Sequence, residues 1–342
     1  MTNRISNMKI CIKCILPETF PGIDFDDKGV CNFCRKNTKP VEAAAEEKMQ
    51  YGQKFRDLLN AQILPGSSSR AHDLLMAYSG GKDSTYTMSL LKQKYGLRIL
   101  ALSFDNGFIS DTAVSNIKAV TDKLGIDHIF FKPKWDLLKK SFSVAKEKEL
   151  YSKKALERAS TMCTTCIGLV KSICLKTAIE QEIPLIGYGW SPGQAPIQSA
   201  IMRTNPSLTR MAQQSILKPL KEAVGEEISA YFLQDRHYSN PDKFPYNVHP
   251  MAWEFYNEEM IIADIEKYSW KSPTDTDSNS TNCLLNAYAN EIHIKRYGFH
   301  PYVWEIANMV RDGVMTREAG FNKIYSDQPD ELLNIARQKL TD

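Results

Sequence analysis

Between residues 73 and 187 the chain repeats one pattern. A short apolar run is followed by a polar or glycine-bearing break, then by a longer stretch with apolar residues three and four apart. The runs at 73–78, 97–104, 127–131 and 183–187 are short and continuous, as strands buried on both faces are. The stretches at 84–95, 112–124 and around 167–180 carry the spacing of helices packed on a sheet. Strands that alternate with helices form parallel βαβ units, so the pattern predicts an open α/β sheet. In such sheets a ligand sits beyond the carboxyl ends of the strands. The loops after Tyr78, Phe104 and Ile186 should therefore meet at one crevice.

Outside this block the pattern changes. Residues 1–40 show little helical spacing and are rich in Cys, Pro, Gly and Asp. Residues 41–62 combine strong helix formers with helical apolar spacing, and 65–69 (Pro-Gly-Ser-Ser-Ser) reads as a linker or loop. From 226 onward the chain reads as mostly helical, broken by a polar loop over 272–282. The organisation expected is a small module at 1–40, a helix and linker at 41–70, an α/β domain at 71–225, and a helical region at 226–342 that completes the site. No internal repeat or low-complexity tract is present.

Composition narrows the class only a little. The chain has 342 residues, 43% hydrophobic and 24% charged, the balance of a globular protein. A net charge of +3 argues neither for nor against nucleic acid, because a basic patch can hide in a near-neutral total. No continuous apolar run reaches the roughly 20 residues of a membrane span, and the N-terminus lacks a signal-peptide core. A cytoplasmic protein is expected.

The break after the first run carries the most chemistry: Ala77-Tyr78-Ser79-Gly80-Gly81-Lys82-Asp83-Ser84-Thr85. Two glycines allow a tight turn and close approach of backbone to ligand. Free N–H groups at the turn and at the helix start form an anion site. Ser79, Ser84 and Thr85 add hydroxyls and Lys82 adds a charge, which is what a departing pyrophosphate requires. Walker A spacing is absent, and the segment instead matches the SGGxDS signature of PP-loop ATP pyrophosphatases. Ser79, Lys82, Asp83 and Ser84 are the candidate catalytic residues. With Ala77, Gly80, Gly81 and Thr85 they are the candidate ATP contacts, Asp83 also being a candidate for magnesium or simply a helix N-terminal acid. After the second run, Phe104 and Asp105 are candidates for ribose, adenine or magnesium, although Asp105-Asn106-Gly107 is equally good turn chemistry. After the fourth, Gly187 and Gly189 in Gly187-Tyr188-Gly189-Trp190-Ser191-Pro192-Gly193-Gln194 are candidates for close approach to nucleotide or substrate, against the reading of a plain loop.

Six of the eight cysteines fall in three CxxC pairs. Cys11, Cys14, Cys31 and Cys34 have zinc-ribbon spacing, two thiolate hairpins that close a structural tetrahedral site. Free thiols or a redox pair are the alternative. Cys163 and Cys166 stand just before a predicted helix, and Cys283 follows the polar loop. Three cysteines could hold an iron–sulfur cluster with one iron open, or zinc, or no metal at all. Cys174 falls among Ile173, Leu175 and Ile179 and reads as core. Thr274, Asp275, Asp277 and Asn282 form a polar cluster that either binds substrate or orders the Cys283 loop. The scattered histidines are read as surface or core residues, and the aromatics Trp253, Phe255, Tyr256 and Trp304 as core or substrate-platform residues rather than nucleic-acid stackers.

In order, the double CxxC, AYSGGKDST, SFDNGF, MCTTCIG, GYGWSPGQ and DTDSNSTNCLLN resemble the N-acetyl sugar amidotransferase family of surface-polysaccharide and nonulosonic-acid biosynthesis, within the PP-loop superfamily. The resemblance spans roughly residues 9–320. It implies the adenine-nucleotide alpha-hydrolase type of sheet, with ATP, Mg2+ and Zn2+ as cofactors. It also implies an AMP- and pyrophosphate-forming reaction: the amide oxygen of an N-acetyl sugar, free or nucleotide-linked, attacks the α-phosphorus, and ammonia then displaces AMP to leave an acetamidino group. No glutaminase is recognisable, so separate glutaminase and cyclase-type ammonia-supplying subunits are implied as partners. The same order also resembles tRNA thiolation enzymes, in which Cys163, Cys166 and Cys283 would hold a 4Fe–4S cluster and sulfur would replace the oxygen. Many of those carry a second C-terminal zinc module, and here no cysteine follows Cys283. A nucleotide-binding protein without turnover is a third reading, disfavoured by the intact Ser79–Ser84 cradle.

Overall fold

The computed structural model describes residues 8–37, 40–277, 279–326 and 329–341. The four expected strands form as β1 (Leu74–Ala77), β2 (Ile99–Phe104), β3 (Asp127–Phe131) and β4 (Leu185–Tyr188). Two short strands, β5 (Ile201–Arg203) and β6 (Tyr246–Val248), complete a six-stranded sheet in the order β3-β2-β1-β4-β6-β5. Every neighbouring pair is parallel except β5 with β6. The sheet is the open α/β architecture that the strand–helix alternation predicts. The last third is mostly helical as expected, and β6 adds to it one parallel strand inside the sheet from beyond residue 225. The three residues of β6, between Pro245 and Pro250, are too few to show a period.

Alternate strand residues feed opposite cores, as the two-residue period requires. Leu75, Leu100, Leu102, Phe104 and Ile186 face one cluster, and Leu74, Met76, Ile99, Ala101 and Leu185 face the other. The helices are α1 (Asn32–Lys36), α2 (Val41–Leu58), α3 (Lys82–Gln93), α4 (Asp111–Leu124), α5 (Trp135–Glu147), α6 (Lys153–Leu156) and α7 (Thr161–Glu180). They continue with α8 (Pro206–Val224), α9 (Asp235–Tyr238), α10 (Glu258–Glu266), α11 (Leu285–Tyr297), α12 (Val303–Arg311), α13 (Arg317–Tyr325) and α14 (Asp330–Thr341). The stretch expected as a linker at 65–69 lies in a short 3-10 turn. It is held to the sheet by Ser67, whose hydroxyl donates to the buried Asp73 carboxylate at 2.7 Å.

α7 is long and apolar enough to cross a membrane, which no continuous apolar run in the sequence suggested. It is instead the inner helix on one face of the sheet, packed against β1, β4, α5 and α8, with Leu169, Ile173, Cys174 and Ala178 buried. Isolated polar residues such as Ser172 break the run without breaking the buried face.

A third core cluster joins the N-terminal module to the C-terminal helices. Ile15, Leu16 and Phe20 pack with Phe299, Val303, Ile306 and Ile324. The chain's two ends thus share one core.

Candidate functional site

β1 is central, and the chain leaves it on one side through β2 and β3 before returning to β4 on the other. The carboxyl end of β1 next to β4 is therefore the switch point where α/β sheets bind ligands. Ser79–Gly81 turns there into α3. Gly80 has φ +77°, and a Cβ on it would meet the Ala113 carbonyl and Ile117 of α4 at 2.8 Å, so only glycine fits. The Gly80 carbonyl accepts from the Trp270 indole N–H at 2.9 Å. Ser79 and Ser84 hydroxyls lie 3.0 Å apart, and those of Ser84 and Thr85 donate to the Gly81 carbonyl at 3.0 and 2.9 Å. The N-cap residue Gly81 offers no side chain to cap α3; the Gly81 amide donates to the Ser79 hydroxyl at 3.3 Å and the Lys82 amide to the Thr281 hydroxyl at 3.0 Å.

Lys82 and Asp83 do not point freely at a ligand. The Lys82 ammonium donates to both Asp83 carboxylate oxygens at 2.9 Å and meets the Tyr256 hydroxyl at 3.0 Å. Burial alone would lower the Lys82 pKa, but Asp83, Tyr256 and Glu258 outweigh it and hold the lysine charged. Gly189 packs directly on the Ser84 backbone, where any Cβ would collide, so the loop after β4 closes one wall of the cradle. Gly187 lies inside β4, where a Cβ would strike Met76, Leu74 and Leu91 at 3.0 to 3.2 Å. Ala77 ends β1, and Phe104 ends β2 and is buried. Asp105 accepts from the Gly107 amide at 2.8 Å through one carboxylate oxygen, and its other oxygen lies 3.7 Å from the Lys132 ammonium, which is turn geometry.

The polar loop before Cys283 reaches back across the sheet to this cradle. Its start is pinned by Asn116, which accepts from the Lys271 amide and donates to the Lys271 carbonyl, both at 2.8 Å. Its end pairs with the loop after β2: the Ser110 amide donates to the Asn282 carbonyl at 3.0 Å, and the Leu284 amide to the Phe108 carbonyl at 2.8 Å. Between these anchors the Thr281 hydroxyl accepts from the Lys82 amide at 3.0 Å. Asp277 is buried, accepts from the Asn279 amide at 2.7 Å and meets Asn290 at 3.5 Å, and burial raises its pKa. Of the predicted polar cluster, Asp277 orders the loop through its side chain, Asn282 through its carbonyl, and a buried Asp275 oxygen has no hydrogen-bond partner among the described residues. Ser278 of that motif lies outside the described residues.

Two residues beyond Thr281, Cys283 joins Cys166 and Cys163. The Asn106 side-chain amide reaches both Cys283 Sγ, at 3.4 Å, and Cys166 Sγ, at 3.6 Å. The Asn286 amide meets Cys163 Sγ at 4.0 Å and donates to the Tyr302 hydroxyl at 2.8 Å. Cys163 and Cys166 lie in the first turns of α7 rather than before it. Burial pushes the Cys163 thiol up to about 12 and raises Cys166 and Cys283 as well. The three sulfurs do not all lie within 4.8 Å of one another. Their all-thiol donor set is one that an iron–sulfur cluster or zinc takes.

The N-terminal four differ. Cys11, Cys14, Cys31 and Cys34 place their sulfurs within 4.8 Å of one another, with Cys11–Cys34 and Cys14–Cys31 both at 3.8 Å. Amides of Leu16, Cys31 and Cys34 donate to three of them at 3.3 to 3.5 Å. Those distances and donors fit a closed tetrahedral metal site.

A cavity of about 670 Å³ opens beside Cys163. Cys163, Lys171, Trp190, Gln194, His249 and Glu305 are among its walls. Glu305 accepts from the Ser191 hydroxyl at 2.6 Å. Burial, reinforced by Asp83, raises its carboxyl to about 7 against the pull of Ser191, Lys82 and Gln194. Glu305, Tyr256, Trp270, Asn286 and Asn290 escape sequence reading. Their one-dimensional signal was at most two asparagines four apart on a buried helix face.

No family model matches the chain. It is 23% identical over 268 residues to an uncharacterised protein of Methanocaldococcus jannaschii, covering 78% of this chain and 77% of that one. Among solved structures it is similar to the tRNA thiolase NcsA from Methanococcus maripaludis, solved with its 4Fe–4S cluster, at 16% identity, 95% coverage of both chains and a TM-score of 0.36. It is also similar to NMN synthetase from Francisella tularensis, at 13% identity, 65% coverage of this chain, 92% of that one, and a TM-score of 0.29.

Proposed function

We propose that this protein is an AMP-forming ATP pyrophosphatase that activates a carbonyl or amide oxygen on a small acceptor and replaces it. The observation that carries the reading is a single short loop. Thr281 touches the Lys82 amide of the phosphate cradle, and Cys283, two residues on, joins the three-thiol group. Activation and replacement thus share one crevice. The acceptor oxygen attacks the α-phosphorus, its bond to phosphorus forms as the bond to pyrophosphate breaks, and AMP later leaves with that oxygen. The amides of Gly80 to Ser84, the Ser79 and Ser84 hydroxyls and Lys82 stabilise charge on the leaving pyrophosphate, with Mg2+ held near Asp83 or Asp105. Lys82 must exchange its Asp83 contact for phosphate when ATP binds.

The first reading of the replacing atom is sulfur. A cluster held by Cys163, Cys166 and Cys283 would supply sulfur as nucleophile. The chain's part is to hold the thiols beside the cradle and, through Asn106 and Asn286, to donate hydrogen bonds to their sulfurs. The N-terminal four cysteines would hold structural Zn2+. A second reading is the amidotransferase, with ammonia replacing the amide oxygen of an N-acetyl sugar, supplied by a separate glutaminase and channel subunit. It is favoured by the cavity, whose size and aromatic walls suit one sugar.

The test is to supply ATP and N-acetyl sugars with either sulfide or ammonium, under anaerobic conditions. Pyrophosphate and AMP are quantified and the product is weighed by mass spectrometry. Sulfur for oxygen raises the acceptor mass, and an imino group for oxygen lowers it. Ser84→Ala should slow pyrophosphate release by about 10²–10³. ATP binding with no pyrophosphate release under any condition would leave only the nucleotide-binding role.

A further inference from the structure

Lys171 lies on α7 two turns beyond Cys163, in line with Ile167, so all three face the same cavity. Its ammonium sits 4.5 Å from the centre of the Trp190 ring, and it has no hydrogen bond or ion pair among the described residues. Arg158, on the rim of the same cavity, likewise has no ion-pair partner among them. The one carboxylate in the lining, Glu305, is engaged by Ser191, and its carboxyl is raised to about 7, so it is only partly ionised at neutral pH. Among the described lining residues, no fully ionised carboxylate stands opposite Lys171 and Arg158. Trp190 continues into His249 at 5.1 Å between ring centres. His249 is 1% exposed, lines the cavity, and has no hydrogen-bond partner at either ring nitrogen. A buried imidazole without a partner is costly unless a bound group supplies one.

We propose that this cavity is an acceptor site for an anionic polyhydroxylated molecule, a sugar bearing a carboxylate or a phosphate. Lys171, assisted by Arg158, takes the anion; Trp190 takes the apolar face of the ring; and His249 takes a hydroxyl. This deepens the proposed function and rests on its assignment of the cavity to the acceptor. Desolvation lowers the Lys171 pKa. An anion bound beside it restores the charged form, so binding should strengthen at low ionic strength and fade above the lysine's free pKa.

Calorimetric titration of the full chain tests this with three probes: N-acetylglucosamine, N-acetylglucosamine 1-phosphate and N-acetylneuraminic acid. Saturating α,β-methylene-ATP keeps phosphate probes out of the cradle. At least one anionic probe should bind about tenfold or more tightly than the neutral sugar. Tight binding of only the carboxylate probe or only the phosphate probe identifies the source of the anion. Lys171→Met should abolish the preference and Lys171→Arg should restore it, which separates lost recognition from lost folding. Equal affinity for all three probes, no binding of any, or an undiminished preference in Lys171→Met overturns the proposal. The proposed function fails separately, if the ATP analogue itself does not bind.

Discussion

The N-terminal four cysteines and the three beside the phosphate cradle use the same side chain in opposite ways. The four are fully or almost fully buried, their sulfurs sit at tetrahedral spacing, and backbone amides of their own hairpins donate to them. Such a site is local in sequence and closed in space. The three are half-buried, come from α7 and from a loop more than a hundred residues away, and take hydrogen bonds from the Asn106 and Asn286 side chains, Cys283 also from the Leu285 and Asn286 amides. One of them, Cys163, lines a cavity. Closed tetrahedral thiols build a core, whereas spread thiols at a cavity wall leave a face for chemistry.

The largest effect should come from breaking the closed site. Tyr325 and Arg317 of α13 bond to the Ile15 and Cys14 carbonyls at 2.7 and 2.9 Å, so the metal module also anchors the C-terminal helices. Metal binding in small zinc modules contributes on the order of 10 kcal/mol to their folding. Cys31→Ser should lose one zinc per chain and expose the third core cluster, seen as a large drop in Tm and rapid proteolysis at both ends. Unchanged zinc content and Tm would show that the four thiols do not form a structural site.

Breaking the open site should do the reverse. Cys283→Ser removes one of three half-buried thiols at the edge of the first core cluster and changes its volume little. Anaerobic preparations should lose their iron, sulfide and visible absorption, keep their zinc, and shift in Tm by no more than about 5 °C. A large loss of stability with unchanged iron would make Cys283 a packing residue.

This contrast also separates what the sequence could tell from what it could not. The closed site is written in two adjacent CxxC pairs, and β1 to β4 are written in runs that are apolar because both faces are covered. The Ser79–Thr85 cradle follows from a strand, two glycines and a helix start in direct succession. The open site has no such local text. Cys283 reaches Cys166 only because residues 108–110 and 282–284 pair through backbone hydrogen bonds, and pairing between distant loops leaves no periodicity. Tyr256, Trp270 and Glu305 come to the cradle from far along the chain in the same way. β6 hides because three residues carry no period, whereas α7 is legible as a helix from about residue 167 and only its first turns, with Cys163 and Cys166, are missed.

Asn106 offers a finer cut between the two sites. The hydrogen bonds to the closed site are backbone bonds and cannot be mutated away, but the Asn106 side chain can. Asn106→Ala removes the donor shared by Cys166 and Cys283. Outer donors of this kind typically matter about 10- to 100-fold in metal affinity, so iron should leave to a chelator faster by about that factor while zinc stays. In metal-free protein the same change removes a bond that lowers both thiol pKa values, so alkylation of Cys166 and Cys283 at fixed pH should slow. Equal iron loss from both proteins would confine Asn106 to its other bond, the turn it makes with the Phe108 amide.

The smallest effect concerns pH, and it belongs to the open side alone. Glu305 has a carboxyl raised from 4.5 to about 7, first by burial and then by Asp83. A carboxyl raised in the folded state favours the fold when protonated. Its contribution is fully present below the unfolded value near 4.5 and is lost as pH rises through about 7. The full shift corresponds to about 3 kcal/mol, and solvent entering the cavity reduces it towards about 1 kcal/mol. Glu305→Gln keeps the Ser191 hydrogen bond but cannot ionise. Urea unfolding at pH 5 and pH 8 should therefore show wild type losing about 1–3 kcal/mol more stability than the variant over that interval. The N-terminal cysteines, none of which is among the groups that shift Glu305, should hold their zinc equally well at both pH values in either protein. If the two stability curves stay parallel, Glu305 ionises freely, the cavity around it is wetter than its contacts imply, and the open side lacks the low-dielectric wall that distinguishes it from an ordinary surface cleft.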